Sequence, residues 1–342
     1  MRKNWIRLGI IILVTLIFLF FFFRSVDWKE VYRYLSEVNL LIFILTIILA
    51  PLHLVTRALR WRYLLMQEKK EVKFWSMFAG NAVGFAVNFS LPGRVGEVVR
   101  PLYLARKEKI RKGFALGTIV VERIFDMFTM CFFLGLFLLA RPLYTSRFNA
   151  KAEAYSSLFF WGIVGVAFAS VLLLLTLSLY FFRGKTLRFI SFLLKPFPQK
   201  FSQRVIALSE EFIEGLKFFH SIRSLLLYTF FSFVVWLGII FYYWVFLFAF
   251  GISLSFFLLV PYVFLTMVGA SIPSPGMVGG FHYFSKLGMT ALYGIDPNLA
   301  VGVTILVHAV QVVVTCCIGY AILWKEGMTI FQIKKLGEDR AK

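Results

Sequence analysis

Acidic side chains are scarce in this sequence: 17 aspartates and glutamates stand against 37 lysines and arginines, a formal charge of +20. Such an excess suggests nucleic acid, but no arginine-rich face lies beside an exposed aromatic platform. The basic residues fall in short connections beside apolar stretches, where lipid headgroups and membrane topology account for them. No nucleic-acid partner is expected. Cysteine is rarer still. Cys131, Cys316 and Cys317 all sit inside apolar segments, as buried small side chains do, which argues against a disulfide framework or a thiolate metal cluster. No histidine or third carboxylate completes a metal set, and no Walker sequence offers direct ATP coupling. Neither metal nor cofactor is expected. The basic, apolar N-terminus lacks a small-residue cleavage pattern, so residues 1–24 read as a retained helix rather than a signal peptide.

What fills the chain is hydrocarbon. Hydrophobic residues make up 60% of it, with 42 phenylalanines, more than one soluble core of 342 residues could hide. Residues 38–56 carry no formal charge, and comparable stretches run over 8–23, 119–140, 158–182, 225–250 and 299–324. Each is long enough, or nearly so, to cross a hydrocarbon layer about 30 Å thick at about 1.5 Å per residue. The runs are continuous rather than alternating, which argues against a strand barrel. The sequence predicts a single all-α polytopic membrane domain over 1–342 with six spanning helices.

Basic connections set the orientation. Residues 1–7, 57–73, 94–112 and 183–204 are strongly basic, whereas 24–38 is balanced and 141–157 carries only +2. The positive-inside bias places the N-terminus and the basic connections in the cytoplasm, and the C-terminus with them. A parity problem follows, because 57–73 and 94–112 want the same side with apolar residues 74–91 between them. A hairpin over 74–112 that enters and returns satisfies both. Asn88 and Leu91-Pro92-Gly93 supply the breaker, after which a second arm can begin near Arg94. The same parity recurs over 256–296, centred on Pro273-Ser274-Pro275-Gly276 with Gly279-Gly280. Two broken re-entrant hairpins of opposite orientation predict an inverted repeat, 1–182 and 223–342, with a site at its interface. The alternative is that each run merely kinks an ordinary spanning helix. Between the halves, 183–222 reads as a cytoplasmic linker. Its amphipathic helix over 195–219 has Val205, Leu208, Phe212, Leu216 and Phe219 on one face.

Charged residues interrupt the apolar runs in three places. Arg57, Arg60 and Trp61 share related helical faces beside Arg62. They suit either a helix-end anchor at the headgroup boundary or a lipid-phosphate site. Asn88, Arg94, Gly96, Glu97 and Arg100 crowd the first hairpin. Arg94, Glu97 and Arg100 fall on adjacent turns, so Glu97 is expected to pair with one arginine and leave another for an anion. Glu122, Arg123 and Asp126 enter the next apolar segment. Glu122 and Asp126 are four apart, so two anions share one face and need a compensating cation, for which a hairpin arginine is the expected source. The histidines form no local motif, and packing is the default role for those within the apolar runs, although His308 and Gln311 interrupt the last run three residues apart.

Taken in order, Arg57-Ala58-Leu59-Arg60-Trp61, Asn88 with Pro92-Gly93-Arg94-Val95-Gly96-Glu97 and Arg100, Glu122-Arg123 with Asp126, and Pro273-Ser274-Pro275-Gly276 with Gly279-Gly280 resemble the bacterial and archaeal lysylphosphatidylglycerol-synthase transmembrane-domain, or flippase-like, family. The resemblance runs over nearly the whole chain and departs from a common Pro-Gly-Gly breaker at Met277. It implies a cytoplasmic-membrane protein that handles aminoacylated phosphatidylglycerol, another phospholipid, or a polyprenyl- or glycolipid. Some relatives carry a cytoplasmic aminoacyltransferase. This sequence ends at Lys342, shortly after Trp324, so no transferase is expected on it, which leaves room for a separate lipid-modifying enzyme as partner. The leading expectation is leaflet-to-leaflet lipid movement, with the charged residues binding substrate and no catalytic residue assigned. An intramembrane lipid-linked group transferase or its accessory, using Glu97, Glu122 or Asp126 as acid or base, competes with it. So does a non-transporting lipid-binding scaffold.

Overall fold

The computed structural model describes residues 2–140, 181–215 and 222–329, scattered positions between 160 and 178, and residue 332. Every regular element among them is helical. The expected span at 158–182 and the connection at 141–157 fall largely outside the described residues, as do Leu216, Phe219 and His220. Helix α1 (Arg2–Phe23) turns at Ser25, φ +62°, into α2 (Trp28–Ser36). Asp27 caps α2 by accepting from the Lys29 N–H at 2.9 Å. The two helices bend by 79°. Helix α3 (Leu40–Leu49) is capped by Asn39 and α4 (Leu52–Leu65) resumes after Pro51, which has no N–H to continue the ladder.

Together α3 and α4 form a 26-residue apolar span, Leu40–Leu65. This corrects the expected end at residue 56. Arg57, Arg60 and Arg62 belong to the helix, not to a connection, because carboxylates on a neighbouring helix neutralise Arg57 and Arg60 and the helix need not stop for them. The other helices long and apolar enough to cross a membrane, among the described residues, are α10 (Ile222–Ala249) and α13 (Pro297–Lys325). The α1–α2 pair makes a fourth if it counts as one bent span. Helix α7 (Lys112–Leu139) is as long as α10 but carries Glu122, Arg123 and Asp126.

Two helix–break–helix units stand between these. In the first, α5 (Phe74–Ser90) and α6 (Gly96–Glu108) meet across a break where Gly93 and Arg94 have φ +82° and +55°. The arms run antiparallel. A Cβ on Gly96 would lie 1.9 Å from the Gly84 carbonyl, and Gly80 sits farther along, against Arg100 and Tyr103. In the second, a short 3-10 turn (Phe256–Leu259) leads into α11 (Val260–Ser271), and α12 (Gly280–Tyr293) returns antiparallel to it. Here a Cβ on Gly269 would lie 2.4 Å from the Gly280 carbonyl. Gly276, Met277 and Gly279 all take positive φ in the break, and Gly276-Met277 departs from a simple glycine turn without losing it.

Within 195–219 the described residues hold one helix, α9 (Gln199–Gly215), which carries Val205, Leu208 and Phe212; a separate helix, α8 (Arg183–Leu193), precedes it and ends before Pro196. Helix α9 packs on the start of α7, where the Glu211 carboxylate accepts from the Gly113 N–H at 2.8 Å.

Polar contacts tie the two ends of the bundle. At one end Lys69 Nζ lies 2.6 Å from Glu108 Oε2, Glu68 pairs with Arg111, and Gln67 bonds Ser224 at the start of α10. Lys107 and Tyr103 meet Glu326 just after α13. At the other end the Asp27 N–H donates to Asn298 at 2.9 Å near the start of α13, the Asn39 N–H donates to the Ala249 carbonyl, and Tyr293 donates to the Leu258 carbonyl at the base of the second unit. Between the ends, the two breaks touch. Gly276 faces the Phe89 carbonyl, and Arg94 donates to the Ala270 carbonyl. An apolar core containing Phe137, Ile240, Phe246, Tyr262 and Val307 joins α7, α10, α11 and α13 beside that meeting point.

Candidate functional site

A cavity of about 1020 Å³ opens where the two breaks meet. It is mostly apolar, but Arg57, Arg94, Arg100 and Arg123 border it together with Glu97 and Asp126. Four cations face two anions there. Behind them lie Arg60 and Glu122, both fully buried, whose charges cancel and leave the same excess of two positive charges.

Glu122 organises the network. Its carboxylate accepts from both Arg100 terminal nitrogens, at 2.7 and 2.8 Å, and from Arg123 at 2.6 Å. Arg57 lies 3.3 Å and Arg60 3.4 Å from the same Oε1. Asp126 accepts from Arg60 at 2.6 Å and from the Trp236 indole at 3.2 Å, with Arg57 and Arg123 at 3.4 and 3.3 Å. The helical spacing that puts two carboxylates on one face of α7 is therefore answered by arginines from α4, α6 and α7 itself. An uncompensated charge in so dry a place would be costly, and a fork-shaped guanidinium matches a carboxylate in two bonds at once. Arg100 also lies over the Trp61 ring, 4.2 Å from its centroid.

These contacts sort the residues singled out in the sequence. Arg57, Arg60, Arg100, Glu122, Arg123 and Asp126 form one ion network. Arg94 pairs with Glu97 at 3.1 Å in a separate, partly exposed bridge, which leaves Arg100 to another anion, the Glu122 carboxylate. Packing of α6 against α7 turns Arg100 toward Glu122, while Glu97 stays partly exposed. Trp61 is no headgroup anchor. It is fully buried, and its indole N–H donates to Thr118 at 2.8 Å. Asn88 borders the cavity against Gly96, and its carbonyl oxygen has no hydrogen-bond partner. Pro92 and Gly93 form the first break, and Pro273, Ser274 and Pro275 line up with Gly276 in the second, where Gly279 lies against Thr15 of α1 and Gly280 against Gly269.

Sequence reasoning missed the contribution of α10. Ser232 and Trp236, four apart in an apolar run, both face the network, Ser232 at 3.5 Å from Arg60. That spacing of two polar groups was the available signal. His308 does more than pack. It stacks on Phe281 with ring centroids 4.8 Å apart and borders the cavity with Gln311.

Residues 4–319 match the family model described as "Lysylphosphatidylglycerol synthase TM region". Among curated proteins the chain is similar to the UPF0104 membrane protein MJ1595 of Methanocaldococcus jannaschii, 28% identical over 126 residues. That match takes in 36% of this chain and spans 38% of the relative. No solved structure gives a significant match.

Proposed function

The chain belongs to the lysylphosphatidylglycerol synthase TM region family of membrane proteins, and from that premise we propose that it moves a polar or anionic lipid between membrane leaflets. The observation that carries the reading is the cavity between the two breaks, with four arginines and two carboxylates on its wall. A lipid phosphate supplies the negative charge that the wall lacks, while the apolar remainder of the lining suits acyl chains at the rim. Arg94 is the first contact, since its bridge to Glu97 is partly exposed and exchangeable. Arg100, held in two bonds by Glu122, keeps the inner wall positive. The breaks act as gates on either side, and the alternative of a group transferase has no comparable feature in its favour.

The membrane arrangement we propose has six spans, including 158–182, and two re-entrant hairpins entering from opposite faces as an inverted repeat. The base of the first hairpin joins the residues just after α13, the base of the second lies at the other end with the start of α13, and the tips meet between. Such pairing supports cytoplasmic termini and a site at the interface of the halves. Reconstitution into liposomes with labelled lipids tests the function. Protein-dependent exchange of at least one phosphate lipid between leaflets is expected, and a folded, reconstituted protein that exchanges none overturns it.

A further inference from the structure

The cavity lining carries two kinds of polar group. Beside the arginines it has side chains with polar atoms and no formal charge: Asn88 on α5, Tyr242 on α10, and His308 and Gln311 on α13. Asn88 and His308 are more than nine-tenths buried, and each has a side-chain atom without a hydrogen-bond partner, Oδ1 and Nε2. The Tyr242 hydroxyl is likewise buried without a hydrogen-bond partner. An imidazole with an ordinary pKa of about 6.5 is mostly neutral at pH 7.5. Amide, phenol and imidazole groups both donate and accept, as a sugar or glycerol hydroxyl does.

An ammonium group brings a positive charge as well as its donors, and the charge of the cavity lining is against it. Both carboxylates on the wall are already engaged, Glu97 by Arg94 and Asp126 by Arg60, and the surrounding charge is net positive. Binding an ammonium there means separating an existing ion pair and adding a cation beside several others. A hydroxyl requires neither.

We infer that the substrate is an anionic lipid whose headgroup bears hydroxyls and no ammonium, its phosphate against the arginines and its hydroxyls against Asn88, His308 and Gln311. This rests on the lipid-moving function proposed above and narrows its substrate class. It also sets this chain's cavity apart from one built for a lysylated headgroup.

The test uses the full chain in liposomes and compares leaflet exchange of five labelled lipids: phosphatidylinositol, phosphatidylglycerol, phosphatidic acid, phosphatidylethanolamine and lysylphosphatidylglycerol. The two hydroxylated anionic lipids should exchange fastest, by about five- to thirtyfold over phosphatidic acid if one or two hydrogen bonds are at stake. The two ammonium lipids should exchange more slowly again. In Gln311→Leu the advantage of phosphatidylinositol over phosphatidic acid should shrink, read as the ratio of their two exchange rates in the same preparation. Gln311→Glu supplies a fresh acceptor and should raise exchange of phosphatidylethanolamine, a readout that stands even if the leucine variant misfolds. Equal exchange of phosphatidic acid and phosphatidylinositol, or ready exchange of lysylphosphatidylglycerol by the unmodified protein, overturns the inference and leaves the lipid-moving function standing. Exchange of no phosphate lipid at all overturns that function first.

Discussion

Glu122 is the side chain on which most of the buried charge converges. It accepts from Arg100 twice and from Arg123, and stands within 3.4 Å of Arg57 and Arg60. Replacing it by glutamine keeps the shape but leaves those guanidiniums with Asp126 as their shared anion. Breaking a buried pair by removing one partner costs roughly 3–5 kcal/mol. Glu122→Gln should therefore lower the unfolding midpoint in detergent sharply, and a shift no larger than that of Glu68→Gln would show the network to be less dependent on this carboxylate. Glu97→Gln should behave differently. Its partner Arg94 is partly exposed, so the fold should persist while leaflet exchange slows more than in Glu68→Gln. Comparable folding with undiminished exchange would remove Glu97 from the working site. The need of Glu122 and Asp126 for a cation was legible from their spacing, and so was a hairpin arginine as its source. That Arg57, Arg60 and Trp236 converge on the same two carboxylates was not, because it depends on where α4 and α10 cross α7.

Each hairpin is closed by a pair of glycines rather than by side chains. Gly96 approaches Gly84, and Gly280 approaches Gly269, in contacts that leave no space for a Cβ. Small residues at such crossings let two backbones approach where lipid offers no hydrophobic drive for association. Gly96→Ala should splay α5 from α6, since the clash is with a backbone carbonyl that has no rotamer to escape into. Gly93→Ala meets nothing within 4 Å and bears only the strain of its left-handed backbone, about 1–2 kcal/mol. Folded yield in detergent should consequently fall much further for Gly96→Ala; equal yields would mean that the arms separate without cost. The breaks themselves were readable from Pro92-Gly93 and Pro273–Gly276, because proline and glycine act locally on the backbone. The end of the Leu40–Leu65 span was misread for the opposite reason. Arginine ends a membrane helix only when nothing inside the protein neutralises it, and the carboxylates that do so are more than sixty residues away in sequence.

At the scale of the whole molecule, two consequences of the arrangement can be separated. Arg94→Ala and Arg100→Ala should both slow exchange of phosphate lipids, but for different reasons. Arg94→Ala removes a partly exposed cation and the tie to Ala270 across the breaks, whereas Arg100→Ala also leaves Glu122 short of its best partner and should lower stability. Exchange measured on samples matched for folded fraction distinguishes the two, and undiminished exchange in both would mean that neither arginine meets the phosphate.

The second consequence concerns which side of the membrane each connection occupies. Lys69 reaches Glu108, and Glu68 reaches Arg111, so the chain leaving α4 and the chain entering α7 lie side by side at one end of the bundle. A spanning α5 would carry those residues to opposite faces, about 30 Å apart, and no salt bridge could then join them. The residues left in the connections point the same way, since 66–73 and 109–112 both carry a net positive charge and so favour the cytoplasm. Single cysteines at positions 70 and 107, in a background where Cys131, Cys316 and Cys317 are replaced by alanine, should therefore react with an impermeant thiol reagent from the same side. A third cysteine at Asn298, which bonds Asp27 at the other end, should react from the opposite side. If positions 70 and 107 label from opposite faces, α5 crosses the membrane alone, the first hairpin does not re-enter, and the cavity between the two breaks loses the geometry on which the proposed lipid movement rests.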